Sequence, residues 1–385
     1  MNRRWELDLL RGFMLVMMFI THLPTRFSIM LGQPFGYVSA AEGFVVLSAF
    51  MAGSIYTKRA QRYGIAAMRH AFFIRTLTVY ICHGALLLFL FFVIADLGLA
   101  LSQPALINLL GYYLSHPREA LPGALLLIYN PPLLDILPLY ILLLLLSPFL
   151  LTLGMKKGWV GIFISSGILW FCAQFPFAEL LYSKLVSLTN LQVPFSETGA
   201  FETYAWQSLW IFGLWLGSTT AQGSLKDRKP FSKQVLVAAA VIAITFLFWR
   251  HAFGQVPIPG QQASIVNRLF DKWHLGPLRM LNFFALLVLV MHFGDWLTAH
   301  VPRIGYLEKL GAASLPVFCV HLGVVLVTLS VVGEYTPDRP LLLDGLLVAM
   351  GLTVLYVAAT ITLRFQKEKH ARTLAAPCRR KDAVS

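Results

Sequence analysis

Long runs of apolar residues, separated by short polar stretches, dominate this chain. About 20 consecutive apolar residues cross a hydrocarbon core of ~30 Å as an α-helix, so each run is a candidate transmembrane helix. Proline, glycine and charge clusters mark where one run ends and the next begins. The pattern predicts ten membrane-spanning helices, at residues 7–24, 38–57, 70–98, 133–153, 159–176, 204–221, 234–252, 277–297, 312–332 and 342–364. The expected fold is therefore an all-α polytopic membrane protein.

The segment at residues 101–130 interrupts this pattern, because it is only partly apolar and contains three prolines. Proline ends or kinks helices, so we expect a loop with an interfacial helix here, with an eleventh span as the alternative. The connections on the predicted inner side are too short for a soluble domain. We expect one membrane domain of ten helices at residues 1–366, followed by a basic cytoplasmic tail at residues 367–385.

Composition supports the membrane assignment and sets an expected orientation. The chain is 57% hydrophobic and 13% charged, whereas soluble domains are about 25% charged. The net charge of +13 is spread over the ends of apolar runs, which is typical of a topology signal and not of a nucleic-acid surface. Placing both termini in the cytoplasm puts most lysines and arginines inside. No small-residue cleavage site closes the first run, so we expect it to remain as a helix.

Arg11 and His22 are two ionisable residues inside the first predicted helix. At about 100° per residue they return to within roughly 20° of the same face, about 16 Å apart along the axis. Ionisable groups at membrane depth are costly and are often functional. Arg11 could instead extend to the headgroups or pair with Asp8, and His22 could be an interfacial residue just before Pro24. The shared face favours a long anionic ligand that reaches towards a proton-transfer site.

Glu42 lies near the start of the second predicted helix. Its carboxylate could orient an imidazole such as that of His22, as carboxylates do for other general bases. The alternative is a helix-start acid favoured by the helix dipole. The long predicted outer loops at 177–203 and 253–276 place amides beside aromatics, which suits either a carbohydrate surface or an ordinary wetted rim.

Two motifs near the N-terminus resemble those of a known superfamily. The run Leu7-Asp8-Leu9-Leu10-Arg11-Gly12, followed by His22, resembles the Arg-x10-His motif of the membrane acyltransferase-3 superfamily. Residues 44–48 are similar to its Phe-Phe-Val-Leu-Ser-Gly segment, with Ala49 in place of the glycine. The superfamily's Arg-x-x-Arg pair is incomplete, because Phe72 lies three residues before Arg75 and the nearest earlier arginine is Arg69.

Further motifs resemble the OpgC branch of that superfamily, which succinylates osmoregulated periplasmic glucans. They lie at residues 134–140, 205–207, 212–217 and 314–321. Together with the N-terminal motifs they occur in order over residues 5 to 365. A set ordered along nearly the whole chain is more specific than the arginine–histidine motif alone.

The resemblance implies an O-acyltransferase of the bacterial inner membrane that uses cytoplasmic acyl-CoA as a donor substrate and needs no tightly bound cofactor. It implies that Arg11, Arg69 and Arg75 hold the CoA phosphates. His22 would act as a general base on the acceptor hydroxyl or would accept the acyl group transiently, with Glu42 as its partner. The expected partners are the lipid bilayer, acyl-CoA and a periplasmic glucan, with no metal and no nucleic acid.

Four further residues are candidates for acceptor binding, and for three of them a purely structural role is the alternative. They are Asp135, Trp206, Gln207 and His321. The alternatives are helix entry for Asp135, an aromatic belt for Trp206 and packing for His321. The identity of the transferred acyl group depends on the resemblance, so we expect succinyl, with acetyl as the alternative. Arg26 is a candidate cation for the free carboxylate of a succinyl group.

A transporter or flippase for a glycan or a lipid-linked sugar is the rival class. Such a protein also needs polar groups inside the membrane, but it needs no acyl donor. The sequence shows no matched pair of helices broken by glycine and proline, which inverted-repeat transporters have. The acyltransferase is therefore the preferred hypothesis.

Overall fold

The computed structural model describes residues 4–189, 191–223, 231–258, 260–261 and 263–381. For residue 370 and residues 372–381 it describes the backbone alone, so most of the predicted basic tail has no described side chains, and residues 382–385 lie outside the description. Within the described residues the regular elements are all helices. The expected all-α class is confirmed for this part of the chain.

The α-helices are, in chain order, α1 (Trp5–His22), α2 (Arg26–Leu31), α3 (Ala40–Phe89), α4 (Ala95–Ala100), α5 (Pro104–Leu109), α6 (Gly111–Ser115), α7 (Pro117–Leu125), α8 (Ile136–Lys157), α9 (Val160–Cys172), α10 (Phe177–Thr189), α11 (Thr203–Ala221), α12 (Lys233–Phe253), α13 (Ile265–Leu269), α14 (Pro277–His300), α15 (Gly305–Ala312), α16 (Ser314–Val332) and α17 (Leu341–Lys381). A π-helix at Leu90–Ile94 joins α3 to α4, and a 3₁₀ turn at Phe195–Glu197 precedes α11.

Each of the ten predicted segments overlaps one of these helices, but fewer qualify as membrane spans. Six helical runs of the described residues are long and apolar enough to cross a membrane, or seven if α9 and α10, which are bent by 84°, form one span. The six are Ala40–Ala100, Ile136–Lys157, Lys233–Phe253, Pro277–His300, Ser314–Val332 and Leu341–Lys369. The membrane character is confirmed, whereas the number of spans and the side on which the termini lie remain predictions.

Two local features explain part of the difference in number. The predicted helices at 38–57 and 70–98 both lie in α3, where two helices meet at a kink at Gly64 with φ +85° and ψ 167°, and the run Ala40–Ala100 counts as one of the six. Glycine accepts a positive φ because it has no Cβ. Helix α1 carries Glu6, Asp8 and Arg11, so it is less apolar than a lipid-facing helix.

The proline-containing segment at 101–130 forms the short helices α5, α6 and α7, none longer than nine residues. A transmembrane helix needs about 20 residues. The expected loop therefore describes this segment better than an eleventh span does.

Glycines allow the central helices to approach each other closely. A Cβ on Gly213 or Gly217 of α11 would fall on the backbone of α3, and a Cβ on Gly53 of α3 would fall on the backbone of α11. Gly12 of α1 and Gly311 of α15 face each other's helices in the same way. Small residues at such crossings let backbones pack closely in membrane proteins.

This packing surrounds α1 with α3, α15 and α16. Arg11 then lies beside the start of α16, and His22 lies at the opposite end of α1. We call these two ends of the helix bundle the Arg11 end and the His22 end.

Candidate active site

Two histidines from distant parts of the chain meet at the His22 end. His22 Nδ1 lies 3.0 Å from His321 Nε2, and the two rings are stacked with centroids 5.1 Å apart and planes within 10°. His321 is fully buried, whereas His22 is partly exposed. The pair therefore combines one histidine that a substrate can reach with one that only supports it.

The local sequence determines where His22 sits. Helix α1 ends at His22, and Leu23 is already extended, with φ −70° and ψ 131°. The residue before a proline disfavours the helical conformation, and Pro24 follows Leu23. The imidazole is therefore fixed on the last turn of a buried helix.

The shared proton between the two histidines can belong to His22 Nδ1 or to His321 Nε2. His321 Nδ1 is buried and has no hydrogen-bond partner among the described residues. When His22 Nδ1–H donates to His321 Nε2, the lone pair of His22 is on Nε2, where it can accept a proton from a substrate hydroxyl. In this arrangement His321 also supports the charged imidazolium that results.

Glu42 is buried and holds partners other than His22. It forms a capping box at the start of α3, in which the backbone N–H of Ser39 donates to Oε2 at 3.1 Å and the Ser39 hydroxyl donates as well. Its Oε1 accepts from Arg279 Nε at 2.5 Å and pairs with the same guanidinium through a second nitrogen. Among the described residues, no hydrogen bond joins Glu42 to His22, whose partner is His321.

The capping box could have been read from the sequence Ser39-Ala40-Ala41-Glu42, which fits the Ser-x-x-Glu pattern. The pairing with Arg279 could not, because 237 residues separate the two partners.

Lys272 is a further cation at the His22 end that the sequence did not single out. Its ammonium lies 4.5 Å from the ring centroid of Trp273 and 5.9 Å from that of Phe201. Burial lowers the pKa of Lys272, and the carboxylate of Glu42 acts in the opposite direction. Its positive charge also acts on His22.

Asp135 ties the loop before α11 to the start of α8. Its Oδ2 accepts a hydrogen bond from the backbone N–H of Ala200 at 3.1 Å. Burial raises the pKa of this carboxyl to about 6, although the Ala200 contact and the charge of Lys272 both favour the ionised form. Asp135 is thus near the site but is engaged in holding the loop.

Trp206 and Gln207 are buried, which corrects the expectation that they contact a sugar. Trp206 Nε1 donates to the Trp273 carbonyl at 3.0 Å. The Gln207 amide donates to the carbonyls of Ser166 and Tyr204, each at 3.0 Å, and accepts from the Ser166 hydroxyl at 2.9 Å. The loop that contains Trp273 covers this part of α11, and Trp273 itself is 38% exposed.

A cavity of about 340 Å³ begins at the Arg11 end. Its lining includes the polar side chains of Arg11, Arg75 and Gln366 and apolar side chains such as Phe44, Ile136 and Phe318. Arg11 donates to the Ser314 hydroxyl at the cavity wall. The cavity therefore carries positive charge where two arginines line it.

The same cavity extends towards the histidine pair. Phe44 lies two residues after Glu42, near the start of α3. Phe318 lies one turn before His321 on α16, with the two ring centroids 5.3 Å apart. Phe318 thus lies between the cavity, which it lines, and the buried histidine of the pair.

Arg69 does not share this cavity, which corrects its expected grouping with Arg75. It is exposed, and the cavity lining does not include it. Six residues at about 100° each turn a helix by roughly 240° beyond one full turn, so Arg69 and Arg75 lie on different faces of α3. At the position three residues before Arg75, Phe72 is buried in the core.

Arg26 is also engaged elsewhere. Its backbone N–H and its Nε donate to Asp344 Oδ2 at 3.1 and 3.3 Å, and its guanidinium donates to the Arg339 carbonyl at 2.6 Å. These contacts tie the turn after α1 to the start of α17. Arg26 is therefore not a free cation for an acyl carboxylate.

Long apolar helices that enclose ionisable side chains and a charged internal cavity define an integral membrane protein with a buried site. A family model described as OpgC protein matches residues 3–367, so the chain belongs to the OpgC family. Membership indicates a membrane glucan-modifying acyltransferase. No curated protein and no solved structure matches the chain.

Proposed function

We propose that this protein transfers a succinyl group from cytoplasmic acyl-CoA to hydroxyls of a periplasmic glucan, in the inner membrane of a bacterium. One observation carries the proposal. A single cavity has Arg11 and Arg75 on its wall and reaches Phe318, which packs on the histidine that supports His22. This arrangement suits a donor whose anionic part stays at the Arg11 end while its acyl group approaches His22.

The donor would bind with its phosphates at the arginines. A guanidinium matches phosphate oxygens through paired hydrogen bonds. A cavity of about 340 Å³ is at the lower end of the ~300–1,000 Å³ that is typical of small-molecule sites. It suits the pantetheine arm with its acyl group, while the nucleotide remains outside.

His22 would activate the acceptor. Its Nε2 takes the proton of a sugar hydroxyl as the oxygen attacks the thioester carbonyl, and the thiol of CoA leaves with a proton from the imidazolium. His321 would hold the ring of His22 and accept its Nδ1–H throughout. A second route, in which His22 first takes the acyl group and then passes it to the sugar, has the same requirement for His22.

The acceptor would approach His22 from the opposite end to the donor. Trp273 is exposed there, and aromatic faces beside polar groups suit a sugar ring. His274 is exposed beside it, and contact with Asp271 raises its pKa. These two residues replace Trp206 and Gln207 as our candidates for acceptor contacts.

The experiment that tests this function uses purified protein in vesicles, with labelled succinyl-CoA on one side and glucan on the other. We expect succinylated glucan from the wild type and a fall of at least ~100-fold for His22→Ala, in line with the usual contribution of a general base. The partly exposed position of His22 means that the truncation leaves little cavity, so folding should be retained. Movement of unmodified glucan across the vesicle would instead support the transporter.

A further inference from the structure

The cations at the His22 end differ in how they are partnered. Arg279 is buried against Glu42, and Arg26 is held by Asp344. Lys272, by contrast, makes no ion pair and no hydrogen bond through its ammonium with any described side chain. Its described contacts are the faces of two aromatic rings.

We propose that Lys272 binds the free carboxylate of a dicarboxylic acyl group and thereby selects succinyl over neutral acyl groups. This inference rests on the proposed function and names a specificity-determining residue for it.

The backbone around Lys272 is fixed by its neighbours. The Trp273 carbonyl accepts from Trp206 Nε1 at 3.0 Å and from the backbone N–H of Glu202 at 3.2 Å. The Leu275 carbonyl accepts from Trp170 Nε1 at 3.0 Å. A residue held in this way by α9 and α11 presents its side chain at a defined place.

The carboxylates near Lys272 each have another partner. Glu42 is paired with Arg279, Asp271 contacts His274 at 2.6 Å, and Asp135 accepts from the Ala200 N–H. Lys272 is therefore the positive charge of this cluster that is left for a ligand.

The surroundings of the ammonium favour a carboxylate. Two aromatic faces confine it, and an ammonium has three hydrogens to donate. A partly desolvated charge attracts an anion more strongly than a fully hydrated one does. The hydrogen bond from Trp206 Nε1 to the Trp273 carbonyl holds Lys272 at the start of α11 and thus at the His22 end. In this proposal a thioester carbonyl at His22 and a carboxylate two methylenes further on are bound together.

The test compares donors in the purified, reconstituted protein. Lys272→Gln should lower kcat/KM for succinyl-CoA by about 10- to 100-fold, the usual effect of removing a hydrogen bond to a charged group. Transfer from acetyl-CoA and butyryl-CoA, which carry no free carboxylate, should change by less than about twofold. Lys272→Arg should restore part of the succinyl transfer. Lys184→Gln, which removes an exposed lysine on α10, is the matched control and should leave all donors unchanged.

Three outcomes would overturn the inference. The first is an equal loss of transfer from succinyl-CoA and from the neutral donors in Lys272→Gln, and the second is an unchanged succinyl rate in that variant. The third is a wild type that uses acetyl-CoA and succinyl-CoA with equal efficiency. The last outcome leaves the acyltransferase in place and removes only its selectivity. A wild type that transfers no acyl group from any donor would refute the proposed function itself, before any variant is made.

Discussion

At the scale of single residues, three of the ionisable groups inside this protein have a polar partner from a distant part of the chain. His22 meets His321, Glu42 meets Arg279, and Arg11 meets Ser314. Burying a charge is costly unless a partner and hydrogen bonds compensate for it. The spacing of Arg11 and His22 predicts that they share a face of one helix, and both side chains contact residues of α16; their shared role stays a prediction. Their partners were not predictable as contacts, because periodicity shows which residues share a face and not which distant helix lies against it.

The pair of Glu42 and Arg279 gives a prediction about stability. Arg279→Met leaves a fully buried carboxylate without its cation, so the free energy of unfolding should fall by about 3–5 kcal/mol. The double variant with Glu42→Gln removes both charges and should recover most of that loss. Thermal unfolding in detergent measures both. A double variant that is no more stable than Arg279→Met would show that the pairing of charges is not what Arg279 contributes.

Asp135 gives a prediction about pH. Its pKa in the folded protein is about 6 against an ordinary value of 3.8, so the folded state binds the proton more tightly than the unfolded state. The contribution of this carboxyl to stability is fully present below about pH 4 and is lost as the pH rises through about 6. Asp135→Asn keeps an oxygen that accepts from Ala200 and cannot ionise.

We therefore expect Asp135→Asn to be more stable than the wild type at pH 7.5, by at most about 3 kcal/mol, and equal to it near pH 4. The difference between the two melting temperatures, followed over this pH range in detergent, checks the sign. A difference that does not vary with pH would contradict the raised pKa.

At the scale of helices, close crossings decide which elements meet. Gly213 and Gly217 lie four residues apart on α11 and face α3, in the Gly-x-x-x-Gly spacing that membrane helices use for close contact. In the sequence analysis these two glycines occur only as part of a family motif at residues 212–217. The sequence also predicts two helices within α3, because charged residues lie between 58 and 69, and the structure has two helices that meet at a kink at Gly64.

Replacing one of these glycines should separate the helices. A Cβ at Gly217 would overlap the backbone of α3 at Phe50, and overpacking of this kind typically costs about 1–3 kcal/mol. Gly217→Ala should therefore lower the melting temperature in detergent. Gly167→Ala is the matched control, since a Cβ there meets nothing within 4 Å in the middle of α9, and it should be neutral or slightly stabilising. Equal effects of the two variants would mean that helix propensity and not packing is being measured.

At the scale of the whole molecule, the sequence predicted the membrane class and the helical segments better than the number of spans. The apolar pattern reports contact with lipid, and it weakens for helices that are surrounded by protein. Helix α1 is such a case, because its charged residues lie against α15 and α16 and not in lipid. Composition alone therefore cannot decide whether α1 crosses the membrane, although its two ends carry the two halves of the proposed site.

The sidedness of the bundle can be tested directly, and the proposed function depends on it. Gln222 is exposed at the Arg11 end, after α11, and Thr336 is exposed at the His22 end, between α16 and α17. Gln222→Cys and Thr336→Cys would each be made in a chain from which the native cysteines have been removed. An impermeant maleimide should label Thr336→Cys in intact cells, and Gln222→Cys only after the inner membrane is opened, because the excess of basic residues predicts that the Arg11 end faces the cytoplasm. The reverse pattern would place Arg11 and Arg75 outside, away from cytoplasmic acyl-CoA, and the donor could not enter as proposed. Labelling of both variants in intact cells would mean that α11 does not separate the two ends across the membrane, and the cavity would then not be a passage from one side to the other.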